Sequence, residues 1–190
     1  RDADRDPPIV PLGDGAIALR TDGSRRVAAV RTADCVPLLV AERSGHAVAA
    51  VHAGWRGTAA GIATRCVSRL SRAGVRPRRL VAAIGPAVRA CCYEVSADVV
   101  AVVSRASGVD AARVSHDGIR GRPMLDLAGA VAAQLVSAGI AAEAVSVAPW
   151  CTACSEELFF SYRRDGATAG RMMAVIGWRS DCGASSGTVA

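Results

Sequence analysis

Two short segments hold the side chains best suited to chemistry. Arg31-Thr32-Ala33-Asp34-Cys35-Val36-Pro37 sets a carboxylate beside a thiol at a turn between apolar runs, and Val48-Ala49-Ala50-Val51-His52 ends another run in an imidazole. Cys35 and His52 have two functional readings. As zinc ligands they need further partners, because zinc takes about four ligands and a catalytic site leaves one for water. As nucleophile and base they need only each other, plus a group that orients the imidazole. Asp34 is the candidate carboxylate near such a metal, orienting a ligand or the attacking water. The plainer reading is a buried thiol and a hydrogen-bonded core histidine, which a spacing of seventeen positions leaves open. After His52 come Gly54, Trp55, Arg56 and Gly57. Free N–H groups at a helix start there, together with Arg56, would favour an anion such as phosphate.

Other candidates weigh less. Cys91 and Cys92 are adjacent; neighbouring side chains that diverge would ligate one metal poorly, so packing is expected. Cys151-Thr152-Ala153-Cys154 has the spacing of a metal knuckle, but a knuckle needs a second pair elsewhere, and none is expected, so a zinc ribbon is not the reading. Phe160-Ser161-Tyr162-Arg163-Arg164-Asp165-Gly166 offers Ser161 and Arg163 to an anion or a base, against the alternative of a hairpin turn with solvated arginines. His46 reads as a hairpin-turn residue and His116 as a surface-loop residue.

These residues need elements to hold them. Apolar runs at Val27–Val30, Val36–Ala41, Val48–His52, Leu80–Ile84, Val145–Ala148 and Met172–Trp178 predict strands of a sheet covered on both sides. Ala59, Ile62, Ala63, Cys66, Val67 and Leu70 recur at helical spacing, which predicts a helix over Thr58–Leu70 with Cys66 in the core and Gly74 as its stop. Two more helices are expected over about 96–106 and 124–137. The alternation gives an α/β fold, a mixed sheet covered by helices in a single domain over 1–178, with 179–190 as a frayed tail.

Composition narrows the function. The chain has 190 residues, 51% of them hydrophobic, enough for a core and against intrinsic disorder. No apolar run approaches the roughly 18 residues of a membrane span. It opens Arg1-Asp2-Ala3-Asp4-Arg5, which is no signal peptide and suggests a processed, trimmed or partial chain. The net charge is +6, and all 23 basic residues are arginine. They are scattered and aromatics are 4%, so a solvated surface is expected rather than a nucleic-acid groove. Seven cysteines, an odd number, point to reduced thiols and a cytoplasmic protein.

Taken together, six motifs resemble one family. They are Thr-Ala-Asp-Cys-Val-Pro at 32–37, Val-His-Ala-Gly-Trp-Arg-Gly at 51–57, Ile-Gly-Pro-Ala at 84–87, Tyr-Glu-Val at 93–95, Cys-Thr at 151–152 and Phe-Ser-Tyr-Arg-Arg-Asp-Gly at 160–166. Their order resembles the family called in turn multicopper polyphenol oxidase (laccase), purine nucleoside phosphorylase and peptidoglycan editing factor. The resemblance implies one zinc held by two His and one Cys, of which Cys35 and His52 match. The other family His lies in a segment upstream of the part matching 13–16 and is missing from this sequence. Either the chain lacks its N-terminal portion, or it binds metal differently or not at all. The resemblance further implies phosphorolysis of adenosine, inosine, guanosine and methylthioadenosine, with adenosine deamination as a second activity. Candidate catalytic residues are then Asp34, Cys35, His52 and Arg56, and candidate substrate or phosphate contacts Gly54, Trp55, Arg56, Gly57, Ser161 and Arg163. Three histidines and no His-x-His pair do not provide a multicopper cluster. The alternatives are a Cys35–His52 thiol hydrolase or amidase in peptidoglycan editing, and an inactive or partner-dependent domain.

Overall fold

The computed structural model describes residues 10–11, 15–19, 27–118 and 121–178. The opening Arg1–Arg5 stretch, Cys182 and the expected tail over 179–190 lie outside the described residues. In chain order the elements are β1 (Val10–Pro11), β2 (Gly15–Leu19), β3 (Val27–Thr32), β4 (Val36–Glu42), β5 (Ala47–Ala53), α1 (Trp55–Ala59), α2 (Ile62–Arg72), β6 (Leu80–Ile84), α3 (Ala97–Ser107), α4 (Ala111–Val114), β7 (Ser115–Asp117), β8 (Pro123–Leu125), α5 (Leu127–Ser137), β9 (Val145–Val147), α6 (Tyr162–Asp165) and β10 (Met172–Gly177).

The expected mixed sheet is present. Six strands run in the order β1-β2-β5-β4-β6-β9, antiparallel except for the β6–β9 pair. Strand periodicity divides the side chains of β4 and β5 between two layers. Val36, Leu38, Val40, Ala49, Val51 and Ala53 enter the main core with Ile62, Cys66 and Leu70 of α2 and Leu127, Val131 and Leu135 of α5. Leu39 and Ala50 face the other way, onto Ala28, Val30, Ala174 and Ile176 of a separate two-stranded ribbon, β3–β10. Both faces are covered, as the sequence predicts, but helices cover one and a ribbon the other. Among the described residues, no helix is long and apolar enough to cross a membrane.

Four sequence readings need correction. The helix expected over Thr58–Leu70 is two helices, because Gly61 takes a left-handed conformation (φ 69, ψ 37) between them. A residue with Cβ pays for that conformation and glycine does not. The apolar stripe itself is right: Ile62, Ala63, Cys66, Val67 and Leu70 are buried. The helix expected from about 124 starts at Leu127, after a side chain (Asp126) that accepts from the Gly129 N–H. Residues 123–125 form β8, which pairs with β7, so His116 lies in a strand and not a loop. Finally, Phe160–Gly166 is no hairpin; Ser161 caps the short helix α6 by accepting from the Arg164 N–H at 3.2 Å.

Candidate functional site

The β4–β5 hairpin brings Cys35 and His52 together. Its register pairs Pro37 with His52 and Val36 with Ala53, so Cys35, just before β4, falls beside Gly54, just after β5. A Cβ built on Gly54 would sit 3.2 Å from Cys35 Sγ and 4.0 Å from His52 Nε2. Thiol and imidazole therefore converge on a space that is open because residue 54 is glycine. Both side chains are half-buried.

Asp34 is the strut of this corner. It is buried and has a positive φ of 86, a conformation that Asp tolerates better than most residues. Its Oδ1 accepts from the Thr152 hydroxyl at 2.6 Å, and its Oδ2 accepts from the Arg163 backbone N–H at 2.5 Å. Its carbonyl accepts from the Val88 N–H at 2.9 Å. One residue thus joins the segment after β6, the Cys151–Cys154 turn and the start of α6. Arg164 adds a second tie: it pairs with Asp165 and donates to the carbonyls of Thr152, Ala153 and Phe159.

A cavity of about 560 Å³ opens over these residues, lined among others by Arg31, Cys35, His52, Tyr93, Tyr162 and Arg163. Asp34 and Arg171 also border it. That volume suits a small-molecule ligand. The Arg163 guanidinium lies 5.2 Å from the centre of the Tyr93 ring and donates to the Glu94 carbonyl. Burial pushes the Tyr93 phenol up, as do the neighbouring Cys35 and Asp34, against the opposing pull of Arg163 and Arg56. The phenol thus stays a neutral donor.

Of the residues singled out in the sequence, the cavity wall includes Asp34, Cys35, His52 and Arg163. Arg56 is exposed and its guanidinium stacks over the Trp55 ring at 4.5 Å. Gly57 lies against Ile62, and Ser161 is fully buried as a helix cap. His46 and His116 border other hollows, one beside Glu42 and one beside Cys91. Sequence reasoning missed Arg171, and it quoted Arg31 and Tyr162 within segments without singling them out. Tyr93 and Thr152 were visible only as members of motifs.

The cysteine expectation is overturned. Cys91, Cys92, Cys151 and Cys154 have sulfur atoms all within 4.8 Å of one another, a group able to hold a metal ion. The adjacent pair converges because residues 90–92 form a turn in which the Cys92 N–H bonds to the Arg89 carbonyl at 2.9 Å. Successive side chains in a turn do not alternate as they do in a strand. The second pair that the Cys151–Cys154 knuckle lacks in sequence is therefore supplied by the fold. Burial raises the Cys151 thiol, but backbone N–H groups of Arg89, Cys154 and Ala153 together with the Cys91 thiol outweigh it and hold it down at about 7. Cys66, by contrast, is buried in the core and pushed up to about 12 by burial alone.

The family model described as multi-copper polyphenol oxidoreductase laccase matches residues 3–179. The chain belongs to that family. The purine nucleoside phosphorylase YlmD of Geobacillus stearothermophilus is 39% identical over 168 residues, 88% of this chain and 61% of that protein. The adenosine deaminase RL5, from an unknown prokaryotic organism, is 37% identical over 163 residues, 86% of this chain and 62% of that one. The crystal structure of the hypothetical protein YfiH of Bacillus licheniformis matches with a TM-score of 0.80 at 35% identity, covering 87% of this chain and 61% of that chain. The chain thus spans about three fifths of the length of these laccase-family relatives.

Proposed function

We propose that the Cys35–His52 cavity binds a purine nucleoside with phosphate and carries zinc-dependent phosphorolysis, with adenosine deamination as a side activity. One observation carries this reading. The cavity joins a thiol and imidazole pair to three arginines (Arg31, Arg163 and Arg171) and two tyrosines (Tyr93 and Tyr162). Guanidinium groups suit a phosphate and aromatic faces suit a purine. The names of the relatives, a purine nucleoside phosphorylase and an adenosine deaminase, agree with it.

The donor types fit zinc. Cys35 Sγ and His52 Nε2 border the space beside Gly54, and thiolate and imidazole are its ordinary ligands. A catalytic zinc takes three protein ligands, and among the described residues no third His, Cys, Asp or Glu joins this pair in a close donor group. Cys35 and His52 are therefore two of the ligands in this proposal. Bound there, zinc supplies Lewis acidity at the cavity wall. Phosphorolysis breaks the bond from ribose C1′ to the base and forms one from C1′ to a phosphate oxygen, leaving free base and ribose 1-phosphate. The arginines hold the phosphate, the tyrosines flank the base, and Asp34 fixes the backbone from which Arg163 projects. We place this activity in one domain over 1–178, in the cytoplasm, where the six described cysteines would persist as the thiols seen here. Multicopper oxidation is not proposed, since the sequence has three histidines.

The test is base release from adenosine, inosine, guanosine and methylthioadenosine with the zinc-supplied chain, read with and without phosphate. Phosphate-dependent release is expected, with ribose 1-phosphate as co-product from adenosine, inosine and guanosine and 5-methylthioribose 1-phosphate from methylthioadenosine. Cys35→Ala and His52→Ala should abolish it, while Arg171→Gln should raise the KM for phosphate far more than that for nucleoside. Turnover that survives Cys35→Ala, or no release from any of the four nucleosides, would refute the proposal. A metal-free activity abolished by alkylation of Cys35 would favour the thiol hydrolase instead.

A further inference from the structure

We propose that Cys91, Cys92, Cys151 and Cys154 form a second, structural metal site that takes one zinc as a tetrathiolate. It is separate from the Cys35–His52 cavity and independent of the activity proposed there.

The geometry is that of a closed zinc site. Zinc–sulfur bonds of about 2.3 Å in a tetrahedron set sulfur atoms about 3.8 Å apart. Here Cys154 Sγ lies 3.6 Å from Cys91 Sγ and 3.3 Å from Cys92 Sγ, and all four sulfurs fit within 4.8 Å. Cys154 is thus shared between two partners, Cys91 and Cys92, rather than paired with one. A cation at the centre gives all four the same role.

The backbone is arranged to suit. The Arg89 N–H points at Cys151 Sγ at 3.4 Å, the N–H···S contact that stabilises a thiolate. Cys151 is bridged to Ala87, with the Thr152 N–H donating to the Ala87 carbonyl at 3.1 Å, and the Ser155 N–H closes the turn onto the Cys151 carbonyl at 3.0 Å. Both turns are therefore set by main-chain bonds before any metal arrives. Cys91 and Cys154 are exposed and Cys151 is buried, so the site sits at the surface with a path for the ion to enter. Donor type selects the ion, since four soft sulfurs favour zinc over magnesium or calcium.

Such a site would clip together segments more than sixty positions apart in sequence. One segment carries Val88 and Tyr93 of the cavity wall, and the other carries Thr152, the partner of Asp34. A metal there braces the cavity from behind without touching a ligand in it.

The test uses the full chain and counts zinc in four proteins: wild type, Cys35→Ala/His52→Ala, Cys92→Ser/Cys154→Ser, and all four substitutions together. The Cys35→Ala/His52→Ala chain should retain one zinc, and adding Cys92→Ser/Cys154→Ser should remove it. Cobalt added to the Cys35→Ala/His52→Ala chain should give intense sulfur-to-cobalt charge-transfer absorption. Should the serine variants fail to fold, cobalt titration of the folded Cys35→Ala/His52→Ala chain against a chelator decides by itself. The proposal is overturned if that chain holds no metal, if its zinc survives loss of Cys92 and Cys154, if the cobalt spectrum lacks sulfur charge transfer, or if mass analysis of freshly purified protein shows these cysteines as disulfides.

Discussion

Asp34 offers the sharpest test of how the cavity is held. Its carboxylate accepts two bonds from buried or partly buried donors, the Thr152 hydroxyl and the Arg163 N–H. Hydrogen bonds to a charged group contribute about 1.5–3 kcal/mol each. Thr152→Val removes one and should cost about 2 kcal/mol. Asp34→Gly removes both and should cost about 4 kcal/mol, because the fully buried Thr152 hydroxyl loses its acceptor. Asp34→Ala adds the strain of a Cβ without a local hydrogen bond at φ 86, about 1 kcal/mol more. For a chain of this size each kcal/mol lowers the melting temperature by about 2–4 °C, so Asp34→Ala should fall by roughly 10–20 °C. Urea denaturation of Thr152→Val, Asp34→Gly and the double variant closes a cycle whose coupling should be about 1.5–3 kcal/mol. A coupling near zero, or an Asp34→Ala chain within about 1 kcal/mol of wild type, would show that the strut does not hold these segments.

Three further outcomes follow from other residues. Glu42 is buried beside Arg79, whose Nε donates to it at 2.7 Å, and this contact holds its carboxyl near 2 against an ordinary 4.5. A lowered folded-state pKa stabilises above the unfolded value and is lost as pH falls through the window between them. Acid melts of Glu42→Gln should therefore diverge least from wild type near pH 2 and most above 4.5; parallel curves across that window would contradict this. Gly54→Ala has an ordinary backbone conformation but sets a methyl 3.2 Å from Cys35 Sγ. It should leave stability within about 1 kcal/mol while weakening metal binding by tenfold or more, so unchanged metal affinity would argue against the space beside Gly54 as the meeting point. Gln134 is buried in α5, with Nε2 bonded to the Thr58 carbonyl and Oε1 without a partner among the described residues. The Thr58 carbonyl keeps the Gly61 N–H, so Gln134→Met should change unfolding free energy by less than about 1 kcal/mol. A larger loss would show that the amide is essential to the α1–α5 contact.

The parts legible in sequence were those written in local pattern. Runs such as Val36–Ala41 and Leu80–Ile84 announce strands by apolar character alone, and the Ile62–Leu70 stripe announces a buried helix face. Cys35 and His52 stood out because one stands immediately before an apolar run and the other ends one, and the fold sets them side by side through the hairpin register. What failed locally did so for backbone reasons. Gly61 interrupts a helix that periodicity reads as continuous, and residues 90–92 turn two adjacent thiols toward one point. Arg171 carries no local mark, and Arg31 shows only as the first residue of the segment that holds Asp34 and Cys35. They meet at the cavity because β3 and β10 pair, a contact between positions far apart in the chain.

That pairing also orders events in time. Arg31 opposes Met173 across the ribbon, and Arg171 stands immediately before β10. During synthesis β3 leaves the ribosome before β10, which follows only after some 140 further residues, several seconds or more later at ordinary elongation rates. Until then Ala28, Val30 and Ala50 lack the packing of Ala174 and Ile176, and the arginine lining of the cavity is incomplete. The helical side of the sheet can form from nearby segments meanwhile. A nascent chain could thus own a folded core well before it owns a site, and any aid from a chaperone would matter most in that interval.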